Sequence, residues 1–149
     1  MEEHPDARWN DALSRGQIRS KKWLVDELYN TIYPEGQNSQ KSNRMDRFFH
    51  TVYICASWYG ILGDLLLEKF GDRIGQVRGF DTDPDAVQVA NRLMKHWDEG
   101  WKFKSAVRDI TELNFTSDTN TYVRYDGEEV VRDDCPSMII NTSCEHIVD

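Results

Sequence analysis

The sequence predicts an α/β sandwich built on a mainly parallel sheet, and three observations lead to this prediction. A run typical of a buried strand, about Phe48 to Cys55, enters a turn that ends at Gly60. A helical segment follows, and a second strand ends in Asp81, 21 residues after Gly60. Strand and helix patterns then keep alternating, which favours crossover connections between parallel strands.

The composition indicates a single globular domain of 149 residues, of which 39% are hydrophobic and 30% are charged. The formal net charge of -8 argues against broad contact with a nucleic acid, because such contact needs a basic face. A small molecule or a protein is therefore the expected partner, and the sequence leaves the oligomeric state open. No apolar run approaches the roughly 20 residues that span a bilayer. The polar N-terminus and three cysteines, an odd count that suits free thiols, favour a cytoplasmic location without a membrane partner.

The N-terminal segment, residues 1–47, is predicted to form a helix followed by a polar loop. Ser14 and Gln17 have the spacing of a capping box, in which each side chain bonds the other residue's backbone N–H. An apolar stripe at helical spacing follows, and Pro34 stops the helix. A domain that binds a cofactor is expected over residues 48–149.

The first strand leads into a helix over about Ile61 to Phe70, whose apolar positions recur at helical spacing. A second strand runs from about Gln76 to Asp81. Asp83 is expected to cap the next helix, because Asp is favoured at that position and Pro84 is favoured at the first helical position.

Alternation over Trp101 to Val107 predicts a third strand, and its polar positions are typical of a sheet edge. Tyr122–Tyr125 and Glu128–Val131 flank an Asp-Gly pair, which is a strong signal for a β-hairpin before the fourth strand. Met138–Ile140 is typical of that fourth strand, short and buried. The predicted architecture is a three-layer sandwich with an N-terminal helix, a mainly parallel sheet and a hairpin insertion.

The chain ends at Asp149, shortly after the fourth strand. We therefore expect the domain to be incomplete at its C-terminus, or to be completed by a partner. Either case predicts an exposed sheet edge at Ser137–Asn141.

Ligands of open parallel sheets bind at the carboxyl ends of the strands, near the point where the strand order reverses. Asp81 ends the second strand, and its carboxylate could accept two hydrogen bonds from a vicinal diol such as that of ribose. The alternative is that Asp81 only helps to end the strand. Asp83 is better explained as the helix cap, since Pro84 fixes the helix start.

The turn after the first strand contains small residues that would let the backbone approach a ligand. Ala56, Ser57 and Gly60 supply this freedom, and the helix N-terminus that follows would face the site. Trp58 and Tyr59 could form a wall against an adenine or a methionine-like tail. They could equally be a hydrophobic plug between the sheet and the first helix of the domain, and the sequence leaves both readings open.

Polar residues also follow the third and fourth strands. Asp109 could accept from an adenine amine while Ile110 packs on the ring, or Asp109 could be an exposed residue that caps a turn. Asn141 opens a polar segment in which Glu145 or His146 could act as a general base. The alternative is a polar turn with a satisfied histidine. No metal site is expected, because the spacing of Cys and His matches no usual ligand pattern.

With its strand ends in this order, the chain resembles the class I S-adenosylmethionine-dependent methyltransferases, which share a Rossmann-like sheet. The resemblance covers about Phe48 to His146. The Trp-Tyr-Gly turn, the Asp-x-Asp-Pro segment and the Asn-Thr-Ser-Cys-Glu-His segment are similar to small methyltransferase-like proteins carried by phages. The resemblance implies S-adenosylmethionine as cofactor and methyl transfer to an unidentified acceptor.

The resemblance also assigns roles to positions of this chain. The family's glycine-rich turn falls on Ala56–Gly60, of which only Gly60 keeps the last glycine, and its ribose-binding acid falls on Asp81. Its adenine-edge acid falls on Asp109, and the substrate-facing end of its fourth strand falls on Asn141. The implied cofactor-binding residues are Ala56, Ser57, Trp58, Tyr59, Gly60, Asp81, Thr82, Asp109 and Ile110, and the catalytic candidates are Asn141, Glu145 and His146.

Two rival functions stay open on the sequence. Transfer of an aminopropyl or aminocarboxypropyl group from a related sulfonium would use the same pocket, and a carboxylate-lined polyamine site would favour it. A Rossmann-like binding module without catalysis would result if the glycine-poor turn no longer admits a cofactor. An NAD enzyme is less expected, because the Gly-x-Gly-x-x-Gly pattern is missing.

Overall fold

The computed structural model describes residues 15–34, 48–57, 59–98 and 100–142. The predicted helix cap Ser14 and the polar loop that follows Pro34 lie outside the described residues. The helices are α1 (Arg15–Ile32), α2 (Ile61–Phe70) and α3 (Pro84–Leu93), and the strands are β1 (Phe49–Cys55), β2 (Ile74–Asp81), β3 (Phe103–Val107), β4 (Asp118–Val123), β5 (Glu129–Asp134) and β6 (Met138–Asn141).

The main sheet has four parallel strands in the order β3-β2-β1-β6. The chain therefore runs outward from β1 to β3 and then crosses back to place β6 on the other side of β1. The separate hairpin of β4 and β5 is antiparallel. This is a Rossmann-like α/β architecture, and the predicted fold class is confirmed.

Strand alternation gives the sheet one face that packs against the three helices. Val52 and Ile54 of β1 point to this face, as do Val77 of β2 and Phe103 of β3. Burying such side chains contributes about 1.5–3 kcal/mol each, so this layer is the main core of the domain. The helical residues buried there include Val25, Leu62, Leu66, Leu67, Phe70 and Ala90.

The opposite face of the sheet is covered by the hairpin, which lies within the connection from β3 to β6. Tyr53 of β1, Phe80 of β2 and Ala106 of β3 form a second apolar cluster with Tyr122 of the hairpin. The predicted hairpin is confirmed, with Gly127 in its turn at φ 92°. A hairpin thus covers the sheet where a helical crossover is the usual connection between parallel strands.

Charged side chains are buried between the sheet and the hairpin. Arg78 of β2 is 1% exposed, and its Nε lies 3.8 Å from an oxygen of Asp134 on β5. The same carboxylate accepts hydrogen bonds from the Tyr122 hydroxyl and, at 3.0 Å, from Asn120 Nδ2. These directional contacts fix how the hairpin lies on the sheet, because unpaired charges in this layer would be costly.

Trp101, just before β3, carries cations on its indole ring. The guanidinium carbon of Arg132 lies 3.9 Å from the ring centroid and Nζ of Lys104 lies 4.5 Å from it. The alternation that predicted an edge strand is confirmed for β3, yet Lys104 is buried beneath the hairpin and pairs with Asp98. The polar positions of β3 therefore face a second layer of protein.

Asn91 of α3 covers part of the open edge of β3. Its Nδ2 donates to the carbonyls of Ser105 (3.0 Å) and Val123 (2.9 Å), while its Oδ1 accepts from the Ser105 N–H at 2.8 Å. The buried side chain of Asn91 thus connects α3, the edge strand β3 and the hairpin. These bonds protect the edge of β3 from pairing with another chain.

At the other side of the sheet, β6 pairs with β1 alone within the described residues, and Ile139 is 42% exposed. This is the edge predicted at Ser137–Asn141, but the burial predicted for the strand Met138–Ile140 is wrong for Ile139. Across the described ranges, no helix combines the length and apolar character needed to cross a membrane.

Candidate functional site

The carboxyl ends of the four parallel strands lie in one row. Cys55 of β1 is in register with Phe80 of β2 and with Asn141 of β6, and Asp81 is in register with Val107 of β3. The strand order reverses between β1 and β6, so the crevice expected for a ligand lies beyond Cys55 and Asn141. The sheet therefore brings the predicted strand ends to one edge.

Among the described residues of the turn after β1, Ala56 with φ 61° and Gly60 with φ 85° adopt a left-handed conformation. The N–H of Ser57 donates to the Phe80 carbonyl at 2.9 Å, and the N–H of Gly60 donates to the Ser57 carbonyl at 3.0 Å. The turn is thus held against the end of β2. Left-handed backbone is costly for a residue with a Cβ, so Ala56 is the strained point of this turn.

Thr142, directly after β6, holds the same turn from the other side. Its hydroxyl donates to the Cys55 carbonyl at 3.1 Å and lies 3.4 Å from the Ala56 carbonyl. Its N–H also lies 3.4 Å from the Cys55 carbonyl. Sequence reasoning did not single out Thr142, and no local pattern could have identified it, because its partners are 86 and 87 residues away.

Gly60 is packed against the core behind the turn. A Cβ at this position would lie 2.9 Å from Cζ of Phe103 and 3.4 Å from Cβ of Ala90. The absence of a side chain at Gly60 thus leaves room for the Phe103 ring. That Gly60 also lets the backbone approach a ligand stays a prediction. Gly63, one turn further along α2, would also overlap the Phe103 ring if it had a Cβ. The spacing Gly60-x-x-Gly63 is the sequence signal for this close packing of helix on strand.

Tyr59 is buried and packs against Ala86 and Val89 of α3. Its burial favours a hydrophobic plug over a ligand wall, but the apolar partners of the ring lie on α3, whereas the plug was predicted between the sheet and the first helix of the domain, α2. The neighbouring Trp58 lies outside the described residues.

Ser57 is 4% exposed, and its Oγ has no hydrogen-bond partner among the residues that the structure describes. A Cβ on Gly79 of β2 would overlap this hydroxyl, so Ser57 occupies the space that Gly79 leaves. The side chain of Ser57 is therefore directed toward β2.

Asp81 lies partly exposed at the end of β2. One of its oxygens accepts from the N–H of Asp83 at 3.0 Å, which forms a tight turn into α3. Asp83 in turn accepts from the N–H of Asp85, so its predicted role as helix cap is confirmed. A carboxylate offers about four acceptor sites, so this one bond does not by itself use the whole acceptor capacity of Asp81. Thr82, between the two acids, is exposed.

Asp109 is exposed after β3 and caps a short 3-10 turn, Ile110–Glu112. One of its oxygens accepts from the N–H of Thr111 at 2.9 Å and from its hydroxyl at 2.7 Å. These two bonds lower the pKa of Asp109 below its usual value. The geometry matches the turn-capping alternative, while Ile110 packs on the apolar cluster beneath the hairpin.

Asn141 is exposed at the end of β6, beside Cys55 of β1. Glu145 and His146, the candidate bases, lie outside the described residues. The thiol of Cys55 is buried, and burial raises its pKa, so it is protonated at neutral pH and is a poor nucleophile. No group of three or more Cys, His, Asp or Glu within the described part of the chain could hold a metal ion.

Comparisons with known proteins find only distant structural similarity. No family model matches the sequence, and no curated protein matches it. A crystal structure of MccD protein is similar at 25% identity and a TM-score of 0.39, over 48% of this chain and 30% of that chain. A structure of Thermoplasma acidophilum 1320 is similar at 17% identity and a TM-score of 0.36, over 65% of this chain and 48% of that chain. The chain thus spans less than half of the length of either protein, and its own strand order and register are what identify the Rossmann-like fold.

Proposed function

We propose that this protein binds S-adenosylmethionine at the carboxyl ends of β1, β2, β3 and β6 and transfers its methyl group to an acceptor. The observation that carries the proposal is the row of strand ends at the switch point, with Asp81 beside the turn after β1. Open parallel sheets bind their ligands at this place. The acceptor is a small molecule or a protein.

The hydrogen bonds of the turn use two of its backbone N–H groups inside the protein. Turns that bind phosphates direct free backbone N–H groups at the ligand. Here the N–H groups of Ser57 and Gly60 are both used inside the protein. S-adenosylmethionine offers a ribose diol and a sulfonium instead of phosphates. The missing Gly-x-Gly-x-x-Gly pattern therefore remains the main argument against NAD.

The side chains would take complementary parts of the nucleoside. Asp81 is proposed to accept from the ribose hydroxyls, with Thr82 close to the adenine. Asp109 is proposed to accept from the adenine amine, since its turn bonds both use Oδ1. Ile110 already packs on the apolar cluster beneath the hairpin. Its side chain would have to extend beyond this cluster to contact the adenine ring.

Methyl transfer asks little covalent work of the protein. S-adenosylmethionine supplies an electrophilic methyl group, and the protein must hold the acceptor atom in line with it. Asn141, at the end of β6, is proposed to orient the acceptor. Glu145 or His146 is proposed as the base, which is needed only if the acceptor must lose a proton.

Calorimetric titration with S-adenosylmethionine and S-adenosylhomocysteine, with NAD as control ligand, tests the proposal. We expect saturable binding of both sulfur nucleotides and none of NAD. Asp81→Asn should weaken binding about 10- to 100-fold, because a charge-assisted bond contributes about 1.5–3 kcal/mol. Asp85→Asn is the matched control, since Asp85 is an exposed carboxylate of α3.

The outcomes separate the rival functions. A folded wild-type chain that binds neither sulfur nucleotide would overturn the proposal. Binding that Asp81→Asn leaves unchanged would overturn the ribose assignment alone. Tight binding without methyl transfer to any acceptor would support a binding module without catalysis.

A further inference from the structure

We propose that Thr142 is a positioning residue that sets the shape of the turn after β1, and that it compensates for an alanine at the left-handed position of this turn. The test of this inference by ligand binding rests on the proposed function. The structural part rests on the contacts of Ala56, Ser57 and Thr142 alone.

The need for such a residue follows from the backbone of Ala56. Its φ of 61° lies in the left-handed region, where the Cβ of an L-residue crowds the following carbonyl oxygen. Glycine adopts this conformation at no steric cost. A turn with alanine there needs other contacts to keep the left-handed conformation populated.

The peptide unit between Ala56 and Ser57 shows where those contacts come from. In a trans peptide the C=O and the N–H point in opposite directions. The Ala56 C=O faces the Thr142 hydroxyl at 3.4 Å, on the β6 side, whereas the Ser57 N–H donates to Phe80 at 2.9 Å, on the β2 side. This single peptide unit thus connects the ends of two strands that do not pair with each other. Either contact alone favours the same orientation of the peptide, so the two support each other.

The peptide unit before it is held in the same way. The Cys55 C=O accepts from the Thr142 hydroxyl at 3.1 Å and lies 3.4 Å from its N–H. Thr142 has two protons for these two carbonyls, one on its N–H and one on its hydroxyl, and it therefore directs both carbonyls toward β6. Both peptide planes around Ala56 are fixed as a result, and these two planes define its φ and ψ. Loss of the hydroxyl should let Ala56 return to a common conformation and shift the residues that follow.

Four variants test this coupling: Thr142→Val, Thr142→Ser, Ala56→Gly and the double variant A56G/T142V. Valine keeps the shape of threonine without its hydroxyl, and serine keeps the hydroxyl. Thr121→Val is the matched control, because Thr121 is exposed on the hairpin. The first readout is the affinity for S-adenosylhomocysteine, measured by calorimetry.

We expect T142V to weaken binding about tenfold, which corresponds to the roughly 1.4 kcal/mol of left-handed strain. T142S and T121V should bind within about twofold of wild type. In the A56G background, T142V should weaken binding less than about threefold, because glycine keeps the turn without the hydroxyl. A loss of equal size in both backgrounds, or wild-type binding by T142V, would overturn the inference.

A second readout separates this inference from the proposed function. If the wild-type chain binds no nucleotide, the same four variants are compared by urea unfolding. We expect T142V to lower the folding equilibrium constant about five- to tenfold more in the Ala56 background than in the A56G background. Equal effects in the two backgrounds would show that Thr142 acts independently of Ala56 and would overturn the inference.

Discussion

Replacing Asp134 by alanine should destabilise the protein more than any single exposed substitution. The carboxylate of Asp134 is 2% exposed and faces Arg78, whose side chain is 1% exposed. It also accepts from the Tyr122 hydroxyl and from Asn120 Nδ2. Its removal leaves one buried cation and two buried donors with fewer partners.

The magnitude follows from these contacts. Removing one partner of a buried ion pair costs about 3–5 kcal/mol, and a buried donor without its acceptor costs about 1–3 kcal/mol. The groups share one carboxylate, so these costs do not add. Arg78 also keeps bonds to Val77 O (2.9 Å) and Gln76 Oε1 (2.7 Å). We therefore expect a loss of about 4 kcal/mol, a large part of the 5–15 kcal/mol typical of a domain.

Urea unfolding followed by circular dichroism measures this loss. With a slope of about 2 kcal/mol per M, the unfolding midpoint should fall by about 2 M. Asp133→Ala is the matched control, because Asp133 is exposed on the outer face of the same strand and bonds Thr119. It should cost less than about 1 kcal/mol. If the two alanine variants unfold at the same urea concentration, the layer between sheet and hairpin is hydrated and the reasoning fails. The double variant R78M/D134L should recover only part of the loss, since it removes the unpaired buried cation but still leaves Tyr122 and Asn120 without their acceptor.

Two further predictions concern the edge of β3 and the thiol of β1. Asn91→Ala should cost about 2 kcal/mol in urea unfolding, because the buried backbone of Ser105 and the carbonyl of Val123 lose their partner. Gln88→Ala on the exposed face of α3 should cost less than about 0.5 kcal/mol. Equal costs for the two variants would show that the edge finds water instead. Burial raises the pKa of Cys55 above its ordinary value of 9.0, so the unfolded thiol ionises at a lower pH than the folded one. The stability that Cys55 contributes is therefore present below pH 9 and is lost as pH rises through the raised pKa of the folded state. Urea unfolding of the wild type and of Cys55→Ala at about pH 8 and about pH 10 checks this prediction. The free energy of unfolding should fall more between the two pH values in the wild type than in Cys55→Ala, and an equal fall in the two proteins would contradict the prediction.

Much of the fold could be predicted from the sequence, because its signals are local. The Asp83-Pro84 pair marks the start of α3, and the Asp126-Gly127 pair marks the hairpin turn. The alternation of β3 correctly predicted a sheet edge. Each of these signals depends on neighbours within a few residues, so the rest of the chain cannot override them easily.

The candidate site could be predicted only in part. The positions of Asp81 and Asn141 at strand ends follow from the strand order, but the local bonds of Asp81 and Asp109 do not. The burial of Lys104 and Arg78 depends on the hairpin that covers them, which lies far along the chain. Tyr59 packs on α3 for the same kind of reason. Contacts between distant segments decide these outcomes, and a single sequence carries no local signal for them.

The position of β6 in the sheet also has a consequence for the order of folding. β1, α2, β2, α3 and β3 follow one another along the chain and pair with their neighbours, so they can assemble as a unit during synthesis. The pairing of β1 with β6 joins Thr51 to Ser137 and Cys55 to Thr142, 86 and 87 residues apart. Closing so long a loop is slow, and we expect β6 to join the sheet last. The crevice at the switch point would then be the last region to form and the first to open, and hydrogen exchange should be faster in β6 than in β2.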